Sequence, residues 1–193
     1  MKTAYIIHGW GGSPKEPMHQ WLKKQLTLKR VKAVAPAMPH PEHPTIKDWI
    51  GKLKKIVKPN KDTYFIGHSI GCQAILRYLE TIDTKIGGIV LIAPWTHLDE
   101  QTIKEEGETS AKTAQPWVET PINLEKVRMN VTKKTICIFS DNDPYVPSSE
   151  TELFKERLDA EIFTEHNKGH FTEEDGVMEN KLALKKILEL MRE

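Results

Sequence analysis

Two cysteines, Cys72 and Cys137, are too few for a disulfide framework, and the absence of any Cys-x-x-Cys pair removes the usual metal and redox dithiol motifs. No apolar run approaches the roughly 18 residues that a membrane-spanning helix needs. The opening residues Met1-Lys2-Thr3-Ala4-Tyr5 lead straight into an apolar strand pattern and lack the hydrophobic core of a signal peptide. A cytoplasmic protein with reduced thiols and no membrane association is therefore expected. Charge of one sign is also scarce overall, with a formal net charge of only +1.

That small total hides an uneven distribution. Residues 1–61 hold thirteen Lys and Arg against Glu16, Glu42 and Asp48, a balance of +10, so the remainder carries −9. No aromatic residues interleave with the basic ones in the manner of a nucleic-acid surface. The lysines are expected to solvate the outer faces of two helices, and no nucleic-acid partner is expected.

What the chain has in quantity is alternation. Short apolar runs at Ala4–His8, Val31–Ala35, Tyr64–Gly67, Gly88–Ala93, Thr135–Phe139 and Glu161–Thr164 read as strands. Helical periodicity marks Met18–Leu28, Ile46–Val57, Ile70–Ile82, Ser149–Leu158 and Val177–Met191, and Ser149-x-x-Glu152 has the form of a capping box. Such alternation implies an α/β fold, a parallel sheet of about six strands with helices on both faces. Ala4–His8 is placed centrally, beside Tyr64–Gly67. With no internal repeat, residues 1–193 read as a single domain. Residues 96–130 are the exception, well beyond the ~12–15 residues above which connections become uncommon. This acidic, then Pro- and Trp-containing segment is expected to form a small, partly helical cap.

The chemistry is concentrated at Gly67-His68-Ser69-Ile70-Gly71, where a Gly-x-Ser-x-Gly pentapeptide ends an apolar run and opens a helical one. A nucleophile elbow needs that context: a strand turns sharply into a helix, the serine stands at the apex, and the glycines let the two elements close up. A serine is a poor nucleophile until a base takes its proton. Two further loops supply the partners. Ser140-Asp141-Asn142-Asp143 follows the Thr135–Phe139 run, and Lys168-Gly169-His170-Phe171 follows Glu161–Thr164. Ser, then Asp, then His is the chain order of the α/β-hydrolases. The loop Gly9-Trp10-Gly11-Gly12 after the first strand adds a place for an oxyanion donor.

Over nearly its full length the chain resembles the small α/β-hydrolases of the bacterial and animal group that includes YdeN and the retinoblastoma-binding serine hydrolase. The resemblance rests on the Met1–His8 lead-in, the Gly67–Gly71 elbow, Asp143-Pro144 within Ser140–Pro147, and Gly169-His170-Phe171. It implies a serine hydrolase with a three-layer α/β/α sandwich. Its compact sheet lacks the first two strands of the full α/β-hydrolase fold. The animal member's name refers to a Leu-x-Cys-x-Glu partner motif. Neither Cys72 nor Cys137 lies in such a motif, so no protein partner is inferred.

Within the site, Ser69 is expected as nucleophile and His170 as base, with His166 the rival. Gly169 permits the turn and Phe171 can anchor it. For the acid, Asp143 is preferred to Asp141 because it matches the family's Asp-x-x-Val-Pro spacing. Asp141 would brace the loop. Backbone N–H groups of Trp10 and Ile70 are expected to form the oxyanion hole, and Trp10, Trp95 and Trp117 to wall the substrate pocket. His40 and His43, three apart in a Pro-rich loop, fix no ligand geometry, so neither a metal nor a cofactor is expected. The reaction expected is hydrolysis of a small-molecule ester with a short to medium acyl group, through an acyl-enzyme. The alternative is a weakly catalytic or non-catalytic interaction module on a hydrolase scaffold.

Overall fold

The computed structural model describes residues 1–192. Among these residues six strands and eight helices alternate, except that three helices follow one another between the fourth and fifth strands. The strands are β1 (Thr3–Ile7), β2 (Lys32–Val34), β3 (Thr63–His68), β4 (Gly88–Ile92), β5 (Thr135–Ser140) and β6 (Glu161–Glu165). They form one sheet in the order β2-β1-β3-β4-β5-β6, every pairing parallel. This is the α/β-hydrolase architecture in reduced form. β3 and β4 are buried along their whole length, whereas the edge strands β2 and β6 are partly exposed. Covered central strands have no solvent face to keep polar, which is why their sequences read as unbroken apolar runs.

The helices are α1 (Pro17–Leu28), α2 (Ile46–Ile56), α3 (Ile70–Glu80), α4 (Glu100–Glu105), α5 (Glu108–Glu119), α6 (Leu124–Met129), α7 (Ser149–Leu158) and α8 (Lys181–Arg192). α1 packs with α8, while α2, α3, α6 and α7 form a continuous second layer. α2 shows how sequence sets the element. Thr45 Oγ1 accepts from Asp48 N at its start, and Trp49, Ile50 and Leu53 turn inward. α3 is buried on nearly every residue because it passes under the sheet's centre and carries the elbow.

Two local expectations fail. α8 begins at Lys181 rather than Val177, because the Asn180 side chain accepts from Ala183 N at 2.7 Å and caps the helix there. The capping box at Ser149 and Glu152 is not formed: Ser148 precedes α7 without a side-chain cap bond. In the same first turn, Glu150 points inward to a different partner. The lysines of the basic third, including Lys24, Lys47, Lys54 and Lys55, are exposed on α1 and α2. No described helix is long and apolar enough to cross a membrane.

Candidate active site

Because all strands are parallel, the loops after β1, β3, β5 and β6 meet at one edge of the sheet, where ligands enter folds of this type. Ser69 stands at the β3–α3 turn with φ 53° and ψ −125°, a left-handed conformation that a side chain rarely adopts. Such backbone strain costs about 1–3 kcal/mol and persists only where packing enforces it. Here the enforcement is visible. A Cβ on Gly71 would lie 2.5 Å from the Ile7 carbonyl oxygen, and one on Gly67 would lie 2.9 Å from Cys72 Cα. The two glycines therefore allow α3 to press against β1 and β3 and drive the turn outward.

The loops from β5 and β6 bring two more side chains to Ser69. Ser69 Oγ is 2.8 Å from His170 Nε2, and His170 Nδ1 is 2.8 Å from Asp143 Oδ2. The other Asp143 oxygen accepts from the backbone N–H groups of Tyr145 and Val146, which fixes the carboxylate. The rival pair is elsewhere. His166 and Asp141 contact each other, and their side chains are 81% and 41% exposed, against 13% and 2% for His170 and Asp143. Asp141 also accepts from Asn167 N, so it braces the loop as expected. Gly169 and Phe171 both take positive φ, and Phe171 is buried, anchoring the turn that presents His170.

Residues not singled out from sequence hold this loop. Asp175 Oδ2 accepts from His170 N, Thr172 N and Thr172 Oγ1. Burial works to raise the Asp175 carboxyl, but the Thr172 and His170 contacts outweigh it and hold it below the usual range. His68 Nε2 donates to the His170 carbonyl at 2.7 Å. Burial, then the neighbouring His170 and His19, push the His68 imidazole down to about 3, so it is neutral at ordinary pH. Tyr145 packs edge-on against His170 and donates its hydroxyl to Glu106. Burial and then that contact raise the phenol to about 12, keeping it a donor. Glu150, also buried, accepts from Thr96 N at 2.6 Å and from His97 N at 3.2 Å, pinning the chain as it leaves β4. Asp175 and Glu150 sit in sequence patterns typical of turns and helix faces, which offered no signal of these tertiary partners.

Ser69 opens onto a cavity of about 760 Å³. Trp10 and Trp95 line it, with Trp95 Nε1 3.4 Å from Ser69 Oγ. Leu98, Ile103, Glu106 and Ser110, from residues 96–130, line it too. Trp117 does not. Its indole is buried against Trp49 and Arg77, donates to the Pro44 carbonyl, and borders a separate cavity of about 530 Å³. The expectation that it walls the substrate pocket is corrected by that packing, since an indole N–H buried at Pro44 is not free to face Ser69. Ile70 is the first residue of α3, so its N–H has no partner within the helix. The Trp10 loop is pinned by the bond from Gly11 N to the Pro41 carbonyl. Both thiols are buried and burial pushes Cys72 and Cys137 up, so both stay protonated at ordinary pH.

His40 and His43 are exposed and join no third ligand among the described residues. Glu16, His19 and His68 do converge, with donor atoms within 4.8 Å of one another. The spacing of Glu16 and His19 on one turn of α1 was a legible hint. The approach of His68 was not.

Residues 4–187 match the serine hydrolase family. YdeN of Bacillus subtilis (strain 168) is 31% identical over 178 residues, covering 91% of this chain and 88% of YdeN. The chain belongs to the serine hydrolases. The crystal structure of the B. subtilis ydeN product superimposes with a TM-score of 0.88 over the whole of both chains, at 26% identity. The serine hydrolase RBBP9 of Rattus norvegicus is 28% identical over 166 residues, 85% of this chain and 78% of that one. Est1E from Butyrivibrio proteoclasticus, solved with ferulic acid bound, shares the fold with a TM-score of 0.70 at 14% identity, over 100% of this chain and 90% of that one. The chain is thus an enzyme of the YdeN and RBBP9 group.

Proposed function

We propose that this serine hydrolase cleaves carboxylic esters with short to medium apolar acyl groups, through an acyl-enzyme on Ser69. The observation that carries the reading is the unbroken line from Ser69 Oγ through His170 to Asp143, each link 2.8 Å, beginning at a strained elbow. Ser69 attacks the ester carbonyl while His170 Nε2 takes its proton and then hands it to the leaving alcohol. Asp143 holds the Nδ1–H tautomer and stabilises the imidazolium without taking the proton itself. The Trp10 and Ile70 amides receive the oxyanion, an interaction that is strongest when charge has developed. Water then repeats the sequence on the acyl-enzyme.

Trp95, Leu98, Ile103 and Tyr145 give the cavity apolar walls, which favour an apolar acyl group. Residues 96–130 act as a cap over that group. A fluorophosphonate probe followed by intact mass tests the nucleophile, and a panel of neutral esters tests the substrate class. One adduct is expected on the wild type and none on Ser69→Ala, whose stability should stay within about 1 kcal/mol. Undiminished labelling of Ser69→Ala would sink the assignment.

A further inference from the structure

Beside the line of hydrogen bonds through Ser69 lies a second polar cluster that the ester chemistry does not use. His19 is 1% and His68 4% exposed. His68 spends its Nε2–H on the His170 carbonyl, so its Nδ1 presents a lone pair, and that atom has no hydrogen-bond partner. Neither nitrogen of His19 has an aligned partner either. Glu16 Oε2 touches His19 Nδ1 at 3.0 Å, close enough for charge attraction but off the direction of a ring N–H bond. Buried polar atoms are ordinarily satisfied, and each orphan is costly. Two buried imidazoles, with ring centroids 5.8 Å apart, face each other beside a carboxylate.

Two imidazoles and one carboxylate form a donor set suited to a divalent transition metal with an open position. We propose that Glu16, His19 and His68 form an inhibitory site for a zinc-class divalent cation. Their donor atoms lie within 4.8 Å of one another. A tetrahedral shell with bonds near 2.1 Å needs about 3.4 Å, so modest closure is required. Glu16 Oε2 is already 3.0 Å from His19 Nδ1, so the remaining closure is toward His68. Glu16 and His68 also line the Ser69 cavity, which gives the ion a path in and leaves its remaining position facing the substrate space. His68 and His170 ring centroids are 5.4 Å apart. A dication held by His68 therefore opposes the imidazolium that His170 must become, in a site too dry to screen it well.

The inhibitory role rests on the Ser69 reading, but uptake is measured without reference to turnover, so the two fail separately. Chelator-stripped full-length protein is titrated with Zn²⁺ against a chromophoric chelator, and with Co²⁺ to read the visible ligand-field bands. One equivalent is expected, with bands of a four- or five-coordinate site, and saturating Zn²⁺ should lower ester turnover about tenfold or more. His19→Gln and Glu16→Gln, each checked for folding by circular dichroism, should weaken uptake about 100-fold or more. Even the partners of metal ligands contribute about 10–100-fold. His166→Ala should bind as the wild type does. No stoichiometric uptake, uptake undiminished in both folded variants, or saturation that leaves turnover unchanged would overturn the proposal.

Discussion

Asp143 and Asp141 are two residues apart, yet their surroundings give them different work. Asp143 is nearly inaccessible and faces His170, while Asp141 is solvated and holds the loop through Asn167 N. His170→Ala and Asp143→Ala should each lower kcat by orders of magnitude, about 10⁴ for the acid as in known triads. His166→Ala and Asp141→Ala should cost less than about tenfold, because an exposed pair contributes little. Steady-state kinetics on one neutral ester decides the matter, and a larger loss in His166→Ala would move the base. Asp175 adds a dependence on pH. Its carboxyl is held below its ordinary value of 3.8 in the folded protein. Its stabilising contribution is therefore complete above that value and is lost as pH falls through the depressed one. Urea unfolding should show Asp175→Ala less stable than wild type at neutral pH, with the gap narrowing below about pH 4. A constant gap would mean that charge at Asp175 contributes nothing.

At the scale of elements, the elbow works because two glycines let a helix and a strand approach without obstruction. A Cβ at position 71 would meet the Ile7 and His8 carbonyl oxygens at 2.5 and 2.6 Å, and backbone oxygens cannot swing aside. Gly71→Ala should cost about 2–4 kcal/mol and most of the turnover, since relief requires α3 to move and Ser69 with it. Gly51 is the contrast. It lies inside α2, where an added Cβ meets nothing within 4 Å. Gly51→Ala should therefore stabilise by about 0.5–1 kcal/mol through helix propensity. Denaturant midpoints for the pair test the packing argument directly, and equal shifts would contradict it. Among the shorter elements, α4 is capped by Asp99, whose side chain accepts from Thr102 N, and is tied to the loop after β5 by Thr102 Oγ1, which donates to the Pro144 carbonyl.

Across the whole molecule, acids rather than bases reach the Ser69 cavity. Lys24, Lys47, Lys54 and Lys55 face solvent on α1 and α2, whereas Glu16, Glu106, Glu173 and Glu174 line the Ser69 cavity and no described Lys or Arg does. Of the acids between Asp99 and Glu108, only Glu106 reaches that lining. Glu100 and Glu108 pair with Lys104 and Lys112 at the surface. A cavity lined by one sign of charge biases which substrates enter. Glu173→Gln with Glu174→Gln should raise kcat/KM for an anionic ester more than for its neutral isostere. The difference should shrink as salt rises, since these two acids are exposed. Equal responses of the two esters would show that the lining does not govern entry.

Much of this was written into local pattern. Apolar runs of strand length, separated by helical periodicity, determined a parallel sheet, and Gly67–Gly71 determined the elbow, because both depend on neighbours in sequence. The strand-end loops that bring Ser69, Asp143 and His170 together were readable from the order of the elements, while the preference for Asp143 over Asp141 rested on the family's Asp-x-x-Val-Pro spacing. Tertiary structure decided whatever depends on residues far apart. Trp117 reads from sequence as a wall of the substrate pocket, and only the fold buries it against Trp49 and Pro44 instead. Glu150 looks like one more acid in a helix's first turn until β4 delivers Thr96 to it across 54 residues. His68 reads as filler within the pentapeptide, and only the packing of α1 against the elbow sets its free nitrogen beside His19 and Glu16. Local pattern fixes where the chain turns, whereas a buried polar group's partner is set by the fold that removes it from water.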